Sequence, residues 1–143
     1  MKRIIYNQEN GNAAVMEVSS EYLQDHTIEQ AATRFAPKEY PFYIVDTLDL
    51  PVEHNDLFDA WEVLEGSIKI NFVKAQAITK DRLRADRTPL MLAQDVAFQR
   101  ALETGADTAS IVTEKQRLRD ITKLADNATT LEELKSLSIL AAN

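Results

Sequence analysis

The chain changes character at Asn71. From residue 72 to residue 103 there is no glycine, and apolar or small side chains at Val73, Ala77, Ile78, Leu83, Ala85, Leu92, Val96 and Ala97 recur among many charges. That is the pattern of a helix. At 1.5 Å per residue the stretch would extend roughly 48 Å, whereas a compact globule of this chain length has a radius of gyration of about 14.5 Å, so a straight helix here has to protrude. Pro89 stands against continuity, because it deletes one helical hydrogen bond and clashes with the carbonyl of Ala85. A kink or a break is expected there. Gly105 is suited to end this helix, and Asp107 or Thr108 to cap a second one, whose apolar residues Ile111, Val112, Leu118, Ile121 and Ala125 return at helical spacing. Thr130-Leu131-Glu132-Glu133 has the form of a capping box and opens a short last helix through about Leu137.

The residues before Asn71 carry a different texture. Ile4-Ile5-Tyr6 and Val15-Met16-Glu17-Val18 are β-type runs around Asn10-Gly11, a dipeptide suited to a two-residue hairpin turn that would set Tyr6 opposite Val15 and Ile5 opposite Met16. Thr27-Ile28-Glu29-Gln30 is a second capping box, predicting a helix from Ile28 to about Ala36. Phe42-Tyr43-Ile44-Val45 is a third strand signal, bounded by Pro41 and by Asp49-Leu50-Pro51. Residues 61–64 and 67–70 flank Gly66 as a second hairpin, with Phe58 and Trp61 as core anchors. The expected fold class is α+β: a small β-rich head over residues 1–71, then a long helical hairpin with a short last helix over 72–143.

Charge divides along the same line. Residues 1–71 hold 13 Asp/Glu and 5 Lys/Arg, while residues 72–143 hold 10 and 11. A formal charge of −7 argues against general nucleic-acid affinity, which needs a net basic face. Lys74, Lys80, Arg82, Arg84 and Arg87 form a basic cluster, but Asp81 and Asp86 interrupt it, as on a salt-bridged exposed face. The chain has no cysteine, so it offers no disulfide, thiolate nucleophile or cysteine metal ligand. No apolar run approaches the roughly 20 residues of a membrane span, and the start of the chain has too short an apolar stretch for a signal peptide.

The inventory of catalytic groups is thin. His26 and His54 are the two histidines and share no metal-ligand spacing. The three glycines, Gly11, Gly66 and Gly105, are isolated, so no phosphate-cradling loop is present. Asp46, Asp49, Glu53, Asp56, Asp59, Glu62 and Glu65 form an acidic stretch without Lys or Arg. It lacks the glycine and the alternation of a calcium loop and reads as a solvated face; a pair of catalytic carboxylates, set by distance rather than spacing, is the sharper alternative. No enzymatic activity, cofactor or metal is expected.

Pro41-Phe42-Tyr43-Ile44-Val45-Asp46, Asp49-Leu50-Pro51 and Phe58-Asp59-Ala60-Trp61-Glu62 together resemble a family of small phage and prophage proteins sharing a "PYRIVD…DLP…FRDAWE" head. Lys74-Ala75, Ile78, Asp81-Arg82, Arg84, Arg87 and Pro89 are similar to that family's "KA..I…DR.R..R.P" helix. Lys115-Gln116, residues 118–122 and residues 130–134 are similar to its "KQ.LRD.T…T.EEL" ending. The likeness runs over roughly residues 41–137 and departs from the pattern at Leu90-Met91-Leu92-Ala93-Gln94. It implies a tailed-phage protein from the tail and tail-fibre region, with no catalytic residues to carry over.

The expectation is therefore a structural component of a virion, present in the host cytoplasm during assembly and partnered by tail or fibre subunits and by further copies of itself. Nucleic acid and membrane are not among the expected partners. A tail-fibre assembly chaperone is the alternative, and an enzyme acting on host surface polysaccharide through Asp46, Asp56, Asp59 or Glu62 is a third. The helical half has more regularly spaced apolar residues than a small head can satisfy, and helices associate to bury such stripes. Val73, Ala77, Leu83, Ile111, Val112, Leu118, Ile121 and Ala125 are the expected partner-binding residues.

Overall fold

The computed structural model describes residues 1–140; residues 141–143, the tail of the expected helical half, lie outside the described residues. The chain is α+β and divides into two compact units, Met1–Asn71 and Phe72–Asn143.

In the first unit, β1 (Lys2–Asn7) is the central strand, flanked by β2 (Ala13–Met16) and β3 (Phe42–Asp46), both antiparallel to it. Successive side chains of a strand point to opposite faces, so the neighbouring isoleucines of β1 serve two cores. Ile4 packs with Ala31 and Ala32 of helix α2 (Ile28–Phe35), while Ile5 packs with Ala13, Leu50, Trp61 and Val63 on the other side. Both isoleucines are fully buried. A four-residue helix, α1 (Tyr22–Asp25), precedes α2, and two 3-10 segments, Thr47–Asp49 and Val52–Ala60, lead from β3 to the hairpin of β4 (Trp61–Leu64) and β5 (Ser67–Ile70).

The register of the first hairpin differs from expectation by one residue. Ile5 lies opposite Val15 and Ile4 opposite Met16. The loop holds three residues instead of two: the Gln8 amide donates to the Asn12 carbonyl, the Gly11 amide donates to the Gln8 carbonyl, and Gly11 takes a φ of 82°. This is a turn closed by a left-handed glycine, a common three-residue solution. The shift decides the fold, because a one-residue slip would send every side chain of β2 to the opposite face.

The second hairpin has the two-residue turn expected around Gly66. Glu65 and Gly66 both have positive φ, 52° and 78°, as a twist-matched tight turn demands. An added Cβ at Gly66 would also approach Tyr43 Cδ1 to 3.2 Å. Asn7 joins β1 to this hairpin as a strand neighbour would: its side-chain amide donates to the Val63 carbonyl at 2.9 Å and its side-chain oxygen accepts from the Val63 amide at 2.8 Å. Trp61 anchors the core as expected and its indole N–H donates to the His54 carbonyl. Phe58 is a correction: it packs on Trp61 with the rings tilted by 48° and their centres 4.9 Å apart, but stays 39% exposed at the edge of the core.

In the second unit, α3 (Phe72–Thr104) is followed by α4 (Ala109–Asp120), α5 (Lys123–Asn127) and α6 (Leu131–Ser136). Pro89 does not break α3. It stands on an exposed part of the helix, as does Ala85, whose carbonyl loses its donor to the proline ring, so water can take the place of the missing partner. Gly105, at φ 68°, ends α3 with paired bonds from the Gly105 amide to the Leu102 carbonyl and from the Ala106 amide to the Ala101 carbonyl. Asp107 accepts from the Ala109 amide at the start of α4. The box at α6 is offset: Thr130 accepts from the Glu133 amide, but the Glu133 carboxylate accepts from the Thr129 amide, one residue earlier than the standard pattern.

Gly66→Ala should destabilise the first unit by more than about 1 kcal/mol, because φ and space both oppose a Cβ, whereas Glu65→Asn should stabilise it by about 0.5–1 kcal/mol. Equilibrium urea unfolding followed by the fluorescence of Trp61 measures both.

Candidate assembly surface

α3 has two apolar faces with different fates. Ala75, Thr79 and Leu83, at intervals of four, are buried, with Ala101 buried further along. The inward row continues through the half-buried Arg87, Leu90, Gln94 and Ala97. α4, α5 and α6 each pack against α3 and cover this row.

Of the eight residues expected to face a partner, four are corrected. Leu83, Leu118, Ile121 and Ala125 are buried within the second unit, at 0, 0, 3 and 0% exposure. Periodicity identifies the apolar face of a helix without saying what covers it, and here the chain's own later helices do. Ile111 is half-buried, while Val73, Ala77 and Val112 are exposed.

Polar side chains of α3 tie the short helices down. The last carbonyls of a helix have no partner inside it, and cationic donors suit them both as hydrogen-bond donors and as charges near the negative end of the dipole. Arg87 Nη1 donates to the carbonyls of Leu118 and Arg119, at 3.1 and 3.0 Å, where α4 ends. Arg82 Nη2 donates to those of Leu134 and Leu137, at 3.3 and 2.7 Å, around the end of α6. Gln76 Nε2 donates to the Ala125 carbonyl of α5 at 3.1 Å, and Lys80 pairs with Asp126. Lys115 reaches back from α4 to Asp95 at 2.7 Å and lies 5.1 Å from the centre of the Phe98 ring. Arg117 donates to the Ile139 carbonyl.

Three members of the basic cluster, Lys80, Arg82 and Arg87, are thus structural anchors, and Arg84 pairs with Asp81. Sequence reasoning did not find this role. The signal lay in the spacing of Gln76, Lys80, Arg82 and Arg87 beside the buried Ala75, Thr79 and Leu83, which places long donors at the rim of the inward face.

On the other side of α3, Ala85, Pro89, Leu92, Ala93 and Val96 are all exposed, Leu92 at 61% and Val96 at 48%. Steps of three and four put them on one face.

In the acidic stretch, the Asp46 carboxylate accepts from the Leu48 amide and Glu62 accepts from the Asn71 side chain. Among the described residues no group of three or more His, Cys, Asp or Glu is placed to hold a metal ion. His26 stacks on Tyr22 with ring centres 4.2 Å apart, and His54 Nε2 lies 3.9 Å from Glu53. No helix among the described residues is long and apolar enough to cross a membrane. Compared with protein-family models, curated proteins and solved structures, the chain matches none.

Carboxylates on α4 are held in their charged form. The Glu114 carboxyl is lowered from its ordinary value, chiefly by its hydrogen bond from Arg117, whose guanidinium is raised in turn. The Asp120 carboxyl is lowered by a hydrogen bond from Gln116 and then by one from Lys123. A lowered carboxyl contributes stability above its unfolded pKa and loses it as pH falls through its folded pKa.

Two outcomes follow for the second unit. Acidification below the ordinary Glu and Asp values of 4.5 and 3.8 should weaken it, and Glu114→Gln should remove part of that pH dependence, by about 0.5 kcal/mol because the pair is partly solvated. Thermal melts at neutral pH and at pH near 3, followed by helical circular dichroism, test this. Arg87→Met should cost about 2 kcal/mol and Leu118→Ala about 2–5 kcal/mol in urea unfolding, since one strips two carbonyls of a charged donor and the other opens a cavity.

Proposed function

We propose that the protein is a non-enzymatic structural component of a tailed-phage particle, associated with the tail or tail fibre and assembled through its helical unit. The observation that carries the assembly reading is the exposed row Ala85, Pro89, Leu92, Ala93 and Val96 on α3. A helix whose inward face is already satisfied has no folding reason to place leucine and valine in water on the other face. Covering each would be worth about 1.5–3 kcal/mol to an interface. Val73, Ala77 and Val112 extend the exposed apolar surface of the unit, whereas Leu83, Leu118, Ile121 and Ala125 hold it together. The attribution to a tailed phage is supported by the likeness of residues 41–137 to the family of small phage and prophage proteins.

The double variant Leu92→Lys with Val96→Lys should keep the helical circular dichroism of the parent and lose association with a second copy or a fibre subunit, read by light scattering and co-sedimentation. A parent chain that stays monomeric at high concentration and binds no fibre subunit would contradict the proposal. Mass spectrometry of purified particles should find the chain at stoichiometric abundance; its absence from them, with fibre binding retained, would move the protein to the class of assembly chaperones.

A further inference from the structure

We infer that the open edge of β3 takes an extended basic peptide segment of a partner as an added strand, beside a groove that seats its apolar side chains. The inference goes beyond the proposed helix-mediated assembly and concerns a different surface.

The direction of the backbone groups can be worked out from the ladder. In an antiparallel sheet, alternate residues bond to alternate neighbours. Gln8 bonds to Asn12 on the β2 side, so Tyr6 and Ile4, two and four residues back, also turn toward β2. Arg3 and Ile5 then turn toward β3, opposite Val45 and Tyr43, and the bond from the Thr47 amide to the Met1 carbonyl at 2.8 Å continues that series. The amides and carbonyls of Phe42 and Ile44 therefore point away from β1. Among the described residues none of these four groups has a hydrogen-bond partner.

On the opposite edge of the sheet one outward group, the Ala13 carbonyl of β2, accepts from the side chain of Gln8. Edge strands are normally blunted by charge, proline or a bulge within the strand. β3 carries a charge only at its last residue, Asp46, and Pro41 lies just before it; Phe42-Tyr43-Ile44-Val45 between them has neither, and both aromatic residues are more than one-third exposed. Such an edge specifies the conformation of its occupant: only another extended chain matches its donors and acceptors.

The groove specifies the side chains. A depression of about 540 Å³ lies along the C-terminal half of α2 and the loop into β3, walled by Ala32, Thr33, Ala36, Tyr40, Pro41 and Phe42. Phe42 shares the face of the sheet that carries Ile4 and Ile44, so a strand added outside β3 would direct every second side chain toward this mostly apolar hollow. Charge gives the remaining property. Lys38 and Glu39 at the groove offset one another, while residues 1–71 as a whole hold 13 acidic against 5 basic side chains, a field that draws a basic segment and repels an acidic one. For the same reason a second copy of this acidic unit is a poor occupant.

Amide hydrogen exchange, read by NMR on the full chain, tests this with synthetic peptides of about ten residues, one alternating Lys and Val and one alternating Glu and Val. The Lys/Val peptide should slow exchange at Phe42 and Ile44 by about tenfold or more and leave Tyr43 and Val45 unchanged, while the Glu/Val peptide should do neither. Phe42→Pro removes an outward-pointing N–H together with the ring that walls the groove and should abolish the protection at Ile44; Thr33→Arg, at an exposed wall of the groove, should weaken peptide binding with the fold intact, and serves as the test if the proline variant does not fold. Leu92→Lys with Val96→Lys should leave peptide binding unchanged, which separates this site from the helical one. The inference is overturned by unprotected Phe42 and Ile44 amides, by equal protection from the acidic peptide, or by protection that rises with protein concentration alone, which would make a second copy the occupant.

Discussion

Helix ends leave carbonyls that nothing in the same helix can satisfy, and in the second unit α3 supplies the missing donors. Arg87 holds the end of α4, Arg82 the end of α6, and Gln76 a carbonyl of α5. α5 and α6 have five and six residues, too short to persist alone in water, so their existence depends on docking. The buried Ala75, Thr79, Leu83, Leu118, Ile121, Ala125 and Leu134 supply the non-directional part of that docking. The guanidiniums supply direction, because in each one terminal nitrogen donates to two carbonyls at a helix end and so fixes where that helix docks. The length of α3 follows from the same arrangement: one uninterrupted helix presents successive anchors to three shorter ones.

The first unit solves the same problem of coverage with a sheet. β1 is buried on both faces, by α2 on one and by the β4–β5 hairpin on the other, which is why it carries two isoleucines in succession where a half-exposed strand would alternate. Asn7 extends the arrangement with a side chain acting as backbone, pairing with both polar groups of Val63. Tyr43 and Gly66 meet where β3 and the tight turn come together, so the glycine there serves space as well as dihedral angle. The outward amides and carbonyls of Phe42 and Ile44 on β3 have no hydrogen-bond partner among the described residues.

Much of this architecture was legible in the residues, and the failures have physical causes. Capping at Thr27 and Thr130, termination at Gly105 and the turn at Gly66 were readable because each depends on local chemistry that a few adjacent residues settle. The β1–β2 register departs from the expected one because Asn10-Gly11 fits a two-residue turn as well as the last part of a three-residue one, and only the ladder discriminates. Pro89 reads as a helix breaker in the sequence because nothing there shows that its carbonyl partner at Ala85 faces water. The division of the apolar residues of α3 and α4 into covered and uncovered was beyond the sequence altogether: Leu83 and Leu92 look alike in a periodic pattern and differ only in whether α4, α5 and α6 lie over them. The inward role of Arg82 and Arg87 was hidden for the same reason, since a charged residue beside an apolar one reads as solvent-facing until the carbonyls it reaches are known.

α3 therefore has two apolar faces, one that holds its own unit together and one left exposed, and the assignment of residues to these faces is the claim on which the functional reading rests. The chain has no native cysteine, so single cysteines introduced at Leu83, Leu118, Leu92 and Val96 can be labelled with a thiol reagent under native conditions without background. The account predicts rapid labelling at positions 92 and 96, suppressed when the assembly partner is bound, and labelling at 83 and 118 only on unfolding. Equal native labelling at all four positions, or protection at 92 and 96 in the isolated monomer, would contradict it.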